Sequence, residues 1–495
     1  MKNHNLNELL SPWISNAPDY RLKEIKLDSR NIKPGDLFVA IKGHDHDGRL
    51  FISQAISQGA VAVIAETDTK TDNGKIRDIH GVPILYLKDL PHYLSFLAGR
   101  FYQDPSNKIP VIGVTGTNGK TTITHLIAQW VSLIGQSSAI MGTNGNGLYG
   151  ELEHATNTTS SSIDIQRFLM SCLEKTVNLV IMELSSHGLI QGRVSALNFA
   201  ATVFTNLSHE HLDYHGDISR YEDAKWLLFA KHKTEKIIIN TDDPVGKKWI
   251  LKLPNAVAVS INDRYQINSH KQWLNATKIK YYEHGVNVHF QSIWGNGFLK
   301  SCLIGSFNVS NLLISLATLL SLSYPLEKLI NTASQLQPPP GRMEFFKRRD
   351  KPTIIVDYAH TPDALKQALV TLRLYCKGKL WCIFGCGGDR DKNKRALMGA
   401  IAEKLSDVII ITNDNPRKEN PNKIINDILS GLIHNSRAKI IMNRIEAISY
   451  AVRTAQNTDI IFLAGKGHEN YQIIGTKNFS YSDRYTVAHL IGMKE

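Results

Sequence analysis

The segment at residues 109–123, IPVIGVTGTNGKTTI, leaves few folds open to this chain. An apolar run at 111–114 reads as a buried strand, and it empties into a glycine-rich turn followed by Lys120, Thr121 and Thr122 and then a helical pattern over 123–134. Glycines let backbone N–H groups approach an anion, the helix N-terminus adds its dipole, Lys120 supplies a point charge, and the Thr121 hydroxyl suits a magnesium ion. This layout predicts a nucleoside triphosphate cradled by Gly116, Thr117, Asn118, Gly119, Lys120, Thr121 and Thr122. It is a variant of the G-x-x-x-x-G-K-[ST] pattern, since Val114 stands five before Gly119 and glycines fall at Gly113 and Gly116 instead.

A chain of 495 residues exceeds what one core organises, so three domains are expected. With 42% hydrophobic and 21% charged residues the composition is that of an ordinary globular protein. No run has the length of a membrane span, and MKNHNLNELL lacks the layout of a secretory signal, which predicts a cytoplasmic protein with no membrane partner. Cys172, Cys302, Cys376, Cys382 and Cys386 are scattered and odd in number, arguing for a reducing compartment. Cys382 and Cys386 have no second pair to complete a zinc site and read as strand and turn thiols. The net charge of +12 is spread without a dense basic block, which fits anionic small-molecule substrates rather than nucleic acid.

Residues 1–106 alternate apolar runs (37–41, 60–65, 82–87) with polar turns and helical patterns such as 51–58, predicting a small α/β domain. Its stretch LDSRNIKPGDLFVAIKGHDHDGR is rich in polar residues and glycine, and could equally bind a small polar ligand or be turns. A linker at 104–110 opens the central domain, 107–337. There MGTNGNGLYG reads as a glycine-rich turn, ATNTTSSS as a hydroxyl cluster, and 179–182 as a strand ending in Glu183, where a magnesium ligand belongs beside a phosphate-loop strand. The sequence TNLSHEHLDYHGD invites a metalloprotease reading that fails, because Asp213 stands where HExxH requires histidine. In YEDAKWLLFAKH, Lys225 reads from composition as a surface lysine. Residues 286–290 and 298–303 suggest an antiparallel excursion, and GSFNVSNLLISLATLLSL an apolar helix opened by Asn308 and Asn311. After the linker 338–341, residues 338–495 read as a doubly wound parallel sheet. Its strand ends carry Asp357 and His360, then Asp389 and Arg390, then Asp414 to Arg417, then Lys466, His468 and Glu469.

Taken together, VTGTNGKTT, MELSSHG, FTNL with HLDYHG, GSFNVSN, PGRME, VDYAHTP and FGCGGDRD resemble the motifs of the Mur ligase family, in family order along essentially the whole chain. The resemblance implies three α/β domains, a P-loop ATPase-like one in the centre and a Rossmann-like one at the C-terminus. It also implies ATP-dependent amide formation through an acyl phosphate, in cytoplasmic peptidoglycan precursor synthesis by a monomer. In that family DNPR, here Asp414 to Arg417, accompanies meso-2,6-diaminopimelate rather than lysine, so the resemblance implies its addition to UDP-N-acetylmuramoyl-L-alanyl-D-glutamate.

Position by position, the resemblance assigns Asn308, Asn311, Arg342 and Asp357 to ATP beside the loop. Thr121, Glu183, His211 and Lys225 fall to Mg²⁺, with Lys225 carbamylated to N6-carboxylysine; Lys120, Glu183, His211 and Lys225 form the catalytic set. Leu27, Ser29, His44, Asp45, His46, Asn157, Thr158, Thr159, Ser185, Gln191 and Arg193 go to the UDP-substrate. Arg390, Asp414, Asn415, Pro416, Arg417, Gly465 and Glu469 go to diaminopimelate. Glu210, Gly192 and Ser160 depart from the family pattern without removing a reacting group. Against this stands a P-loop protein that spends ATP on switching a partner surface, which would leave the polar strand ends at 357–469 without a purpose.

Overall fold

The computed structural model describes residues 4–493 apart from 44–45, 156, 209, 211, 263–270, 283–284 and 435–436; at 212–213 it describes the backbone alone. Among the described residues the chain builds three main sheets, each with helices and core on both faces. In the first, Ile25–Lys26, Leu37–Ala40, Ala62–Thr67 and Val82–Lys88 run parallel, and Ile76–Ile79 pairs antiparallel at the edge. Strand alternation sends Leu37 and Val39 into one core and Phe38 and Ala40 into the other.

The phosphate-loop strand, Val111–Thr115, lies inside an eleven-stranded sheet between Leu179–Glu183 and Phe199–Phe204, parallel to both. The chain leaves this strand to one side, for Ser138–Gly142 and Leu179–Glu183, and later fills the other, with Phe199–Phe204 and Thr234–Asn240. Such a reversal opens a crevice at the strands' C-terminal ends. The expected excursion is present as Gly285–Ser292 and Gly295–Ser301, antiparallel and continuous with the same sheet. MGTNGNGLYG is more than a turn: Gly145–Leu148 pairs antiparallel with Ser138–Gly142 and with Glu151–Glu153. Its glycines carry turn chemistry, but their backbone N–H and C=O groups complete a sheet edge.

The third sheet places Thr353–Asp357, Ile460–Ala464, Leu380–Phe384, Val408–Ile411 and Ala438–Ile440 in parallel, with Glu344–Phe346 antiparallel at one edge. The doubly wound reading holds here, and the three-domain α/β architecture with it. Cys382 and Cys386 are buried, free thiols, the second 3.8 Å from Met398 Sδ. Lys225 overturns its composition-based placement on the surface, being 1% exposed. No helix among the described residues is long and apolar enough to cross a membrane.

Candidate active site

At the end of Val111–Thr115 the backbone turns at Gly116 with φ 149°, and a Cβ there would fall 1.8 Å from Thr205 Oγ1. Only glycine lets the loop lie this close to the neighbouring strand end. Thr117 N donates to Asn206 O (2.8 Å), Asn118 N to Asn206 Oδ1 (2.9 Å), and Thr205 Oγ1 to Asn118 O (2.6 Å), fixing the loop before any ligand arrives. The helix Lys120–Leu133 then begins. Lys120 Nζ folds back to donate to Gly116 O (2.9 Å) and Thr117 O (2.8 Å). Burial lowers its pKa, while the Glu210 and Glu183 carboxylates pull it up.

Glu183, wholly buried at the end of its strand, accepts from Thr121 Oγ1 at 3.0 Å, from Thr143 N at 2.9 Å and from Thr143 Oγ1 at 3.1 Å. Behind it Gly142 leaves the room it occupies, since a Cβ at 142 would lie 2.2 Å from Glu183 Oε1. Lys225 Nζ donates to Gly116 O at 2.8 Å, the carbonyl that Lys120 also uses, and sits 4.5 Å from the centre of the Tyr221 ring. Burial and the repulsion of Lys120 hold its pKa well below the usual lysine value, against the pull of Glu210.

Buried hydroxyl and carboxylate oxygens at the mouth of a phosphate loop suit a hard cation that keeps water and phosphate oxygens in its shell, so Thr121 and Glu183 fit Mg²⁺. Among the described residues no group of three or more His, Cys, Asp or Glu gathers into a metal cage. His211 lies outside the described residues. Two lysine nitrogens share the one carbonyl of Gly116, so an unmodified Lys225 offers a cation no ligand oxygen, and a carbamate there would supply one with negative charge.

Two cavities meet at this point. The smaller, about 550 Å³, is lined by residues 117–122, Glu183, Asn308, Asn311, Arg342 and Asp357. Asn308 and Asn311 lie in the first turns of Ser306–Ser321, buried, with Asn311 Nδ2 donating to Asn308 Oδ1 (3.2 Å). Arg342 Nη2 reaches Thr121 Oγ1 (3.0 Å) with its guanidinium 4.6 Å from the centre of the Tyr358 ring. Burial raises the pKa of Asp357, which accepts from Met343 N (2.7 Å), while Arg342 opposes the rise.

The larger cavity, about 1100 Å³, brings two predicted groups face to face. Asn157, Thr158, Thr159, Ser185, Gln191 and Arg193 line one wall, and Arg390, Asp414, Asn415, Arg417, Gly465 and Glu469 another. Arg193 is fixed by Nη1 to Thr159 O (2.5 Å) and Nε to Gln191 Oε1 (2.9 Å). Opposite, Asn415 Nδ2 and Lys466 Nζ both donate to Glu469 Oε2 at 2.9 Å, and Arg417 Nη1 donates to Gly388 O (2.9 Å). Pro416 supplies the turn without lining the cavity.

Leu27, Ser29 and His46 line neither cavity. Leu27 packs half-buried on the first domain's core, Ser29 Oγ donates to Gln54 Oε1 (2.9 Å), and His46 is exposed. His44 and Asp45 lie outside the described residues. Sequence reasoning missed Thr143, Asn206 and Tyr221, whose hydroxyl lies 3.2 Å from Thr117 Oγ1. Thr143 was open to the strand-end rule that found Glu183, had Ser138–Gly142 been recognised as a parallel neighbour.

The sequence matches the family models described as Mur ligase middle domain over residues 114–319, Mur ligase, glutamate ligase domain over 341–467, and Mur ligase family, catalytic domain over 21–102. A solved UDP-N-acetylmuramoyl-L-alanyl-D-glutamate–2,6-diaminopimelate ligase is 33% identical, with TM-score 0.69 and 99% of each chain covered. A UDP-N-acetylmuramoylalanyl-D-glutamyl-2,6-diaminopimelate–D-alanyl-D-alanyl ligase from Acinetobacter baumannii is 19% identical, with TM-score 0.65 over 99% of this chain and 98% of that one. A Mycobacterium tuberculosis folylpolyglutamate synthase complexed with ADP and AMPPCP is 16% identical, with TM-score 0.62 over 76% and 92%; these last two likenesses bear on the fold alone.

Proposed function

The chain belongs to the Mur ligase family of ATP-dependent ligases, and from that premise we propose that it joins meso-2,6-diaminopimelate to UDP-N-acetylmuramoyl-L-alanyl-D-glutamate. ATP phosphorylates the D-glutamyl carboxylate, the diaminopimelate amine attacks the acyl phosphate, and amide, ADP and phosphate result. A carboxylate oxygen is a poor leaving group, and phosphorylation makes it a good one.

The observation that carries this reading is the larger cavity: one wall of hydroxyls with Arg193, another where Arg390, Arg417, Asp414 and Glu469 gather, and the phosphate loop's cavity opening beside it. An amino acid with two ammonium and two carboxylate groups needs acids and arginines together. Lys120 would turn from the loop carbonyls it now meets to neutralise charge on the transferred phosphoryl group. Thr121, Glu183, His211 and a carbamylated Lys225 would hold Mg²⁺, which would neutralise negative charge during phosphoryl transfer. We divide the chain at 106/107 and 337/338 into UDP-substrate, ATP and amino-acid domains, with Leu27, Ser29 and residues 44–46 at the uridine end. A cytoplasmic monomer acting on small molecules completes the reading.

Phosphate release from ATP, Mg²⁺ and the UDP-dipeptide tests it, with diaminopimelate, L-lysine or no amino acid added. Release that requires diaminopimelate supports the assignment. Equal use of lysine would sink the pocket reading, and release that ignores the amino acid would put a switching ATPase in its place.

A further inference from the structure

Beneath the larger cavity's wall of arginines and acids stands a cation that lines neither cavity: Lys466, whose side chain is 0% exposed. Gly465, with φ 117°, and Gly467, with φ 50°, flank it. A Cβ at 465 would lie 2.7 Å from Asp414 Oδ2, and one at 467 would lie 2.7 Å from Gly341 O and from Tyr358 Cβ. Glycine on both sides lets the backbone press between the DNPR turn and the 338–341 linker while the lysine turns inward.

Lys466 Nζ donates to Asn415 Oδ1 at 3.0 Å and to Glu469 Oε2 at 2.9 Å. Asn415 extends the link in two directions. Its Nδ2 donates to the same Glu469 Oε2 (2.9 Å), and its Oδ1 also accepts from Ile473 N (2.9 Å), in the hairpin strand Tyr471–Ile474. The rings of Tyr471 and Tyr481 lie 5.7 and 5.9 Å from the ammonium. One nitrogen thus ties together the DNPR turn, the loop carrying Glu469 and the hairpin. Because Lys466 and Asn415 both meet Oε2, Glu469 Oε1 has no hydrogen-bond partner among the described residues, and Glu469 lines the cavity. Taking an ammonium out of water is costly, and a well-packed apolar side chain would serve the fold as well or better. What the lysine supplies that an apolar residue could not is a carboxylate held in one place.

We propose that Lys466 is a positioning residue for the added amino acid, an inference that rests on the ligase reading. It fixes Glu469 with Oε1 left for an ammonium group of the amino acid, and it keeps Asn415 and the DNPR turn in register with that carboxylate. Both its partners belong to the wall assigned to the amino acid and neither to the phosphate loop. Its loss therefore bears on capture of the amino acid and leaves phosphoryl transfer alone.

Lys466→Met keeps much of the side chain's length and removes the ammonium. The KM for diaminopimelate should rise roughly ten- to a hundredfold, about what losing a hydrogen bond to a charged group costs. The kcat at saturation and the KM values for ATP and the UDP-dipeptide should stay close to wild type. Combined with Glu469→Gln, the rise should be smaller than the product of the two single rises, because the lysine acts through that carboxylate. Lys466→Gln, which keeps a donor for one partner, should show the same split with a smaller rise and serves if the methionine variant does not fold. A merely structural lysine would worsen all three KM values together or lower kcat with the KM for diaminopimelate unmoved, and either result overturns the proposal. So does a lowered KM for diaminopimelate, or single rises that multiply in the double variant. Unmutated protein whose phosphate release does not respond to diaminopimelate overturns the ligase reading instead, in an arm that contains no variant.

Discussion

Arg342 Nη2 lies 3.0 Å from Thr121 Oγ1, so a side chain from the far end of the 338–341 linker completes the hydrogen bonding of a hydroxyl on the phosphate loop. Residue 342, just past that linker, and the helix that follows the phosphate loop are thus joined by a direct hydrogen bond. Arg342→Ala removes a charged hydrogen-bond partner, a loss of about 1.5–3 kcal/mol. Steady-state kinetics should show kcat/KM for ATP reduced roughly ten- to a hundredfold. Arg342→Lys, which keeps charge but not the planar fork, should fall between.

Lys120→Ala should abolish turnover while thermal unfolding stays close to wild type, because the lysine's partners are the loop carbonyls Gly116 O and Thr117 O, which water can serve in its absence. Measurable ligation by this variant would count against the loop as the phosphoryl-transfer site.

Burial and the repulsion of Lys120 lower the pKa of Lys225, which favours the neutral amine, the form that adds carbon dioxide. Lys225→Met should be inactive yet folded. Prolonged dialysis of the wild type against carbon dioxide-free buffer should lower activity, and bicarbonate should restore it. Acidification protonates the amine and reverses the modification, so this loss grows as pH falls. Undiminished activity after exhaustive carbon dioxide removal would sink the carbamate assignment.

Arg417→Ala should raise the KM for diaminopimelate with little change in the KM for ATP. Arg417 sits with φ 52° at the turn of the DNPR segment, tied by its backbone N–H to Ile473 O at 3.1 Å. That strained turn aims the guanidinium, which donates to Gly388 O, along the cavity wall. An unchanged KM for the amino acid would remove this wall from the diaminopimelate site.

Histidine burial gives a pH signature. His125 is 4% exposed and its Nε2 has no hydrogen-bond partner among the described residues. Burial, with Arg342 nearby, lowers its pKa to about 4, against about 6.5 for an ordinary histidine. The folded value lies below the unfolded one, so the unfolded chain binds the extra proton. Stability is whole above about pH 6.5 and is lost as pH falls toward 4, by at most about 3 kcal/mol. His468, lowered to about 3, acts in the same direction. Urea midpoints measured across this window should slope less in His125→Gln.

The phosphate loop was legible because its strand, turn, lysine and hydroxyls are consecutive. So was the parallel sheet of residues 353–464, whose apolar runs each break into polar turns. What escaped was chemistry assembled by strand order. Thr143 reaches Glu183 across 40 residues and His360 reaches Glu210 across 150, so neither pairing leaves a local pattern. Lys225 misled for a related reason: a charged residue in a helix reads as solvated unless one knows that the helix packs its lysine beneath a loop more than a hundred positions earlier.

Gly142 carries a consequence for how this protein can vary. With a Cβ there falling 2.2 Å from Glu183 Oε1, even alanine would shove the carboxylate away from the Thr121 and Thr143 hydroxyls. In a saturation library selected for growth on the enzyme's product, that codon should be as silent as those of the reacting groups, although its residue has no side chain with which to react.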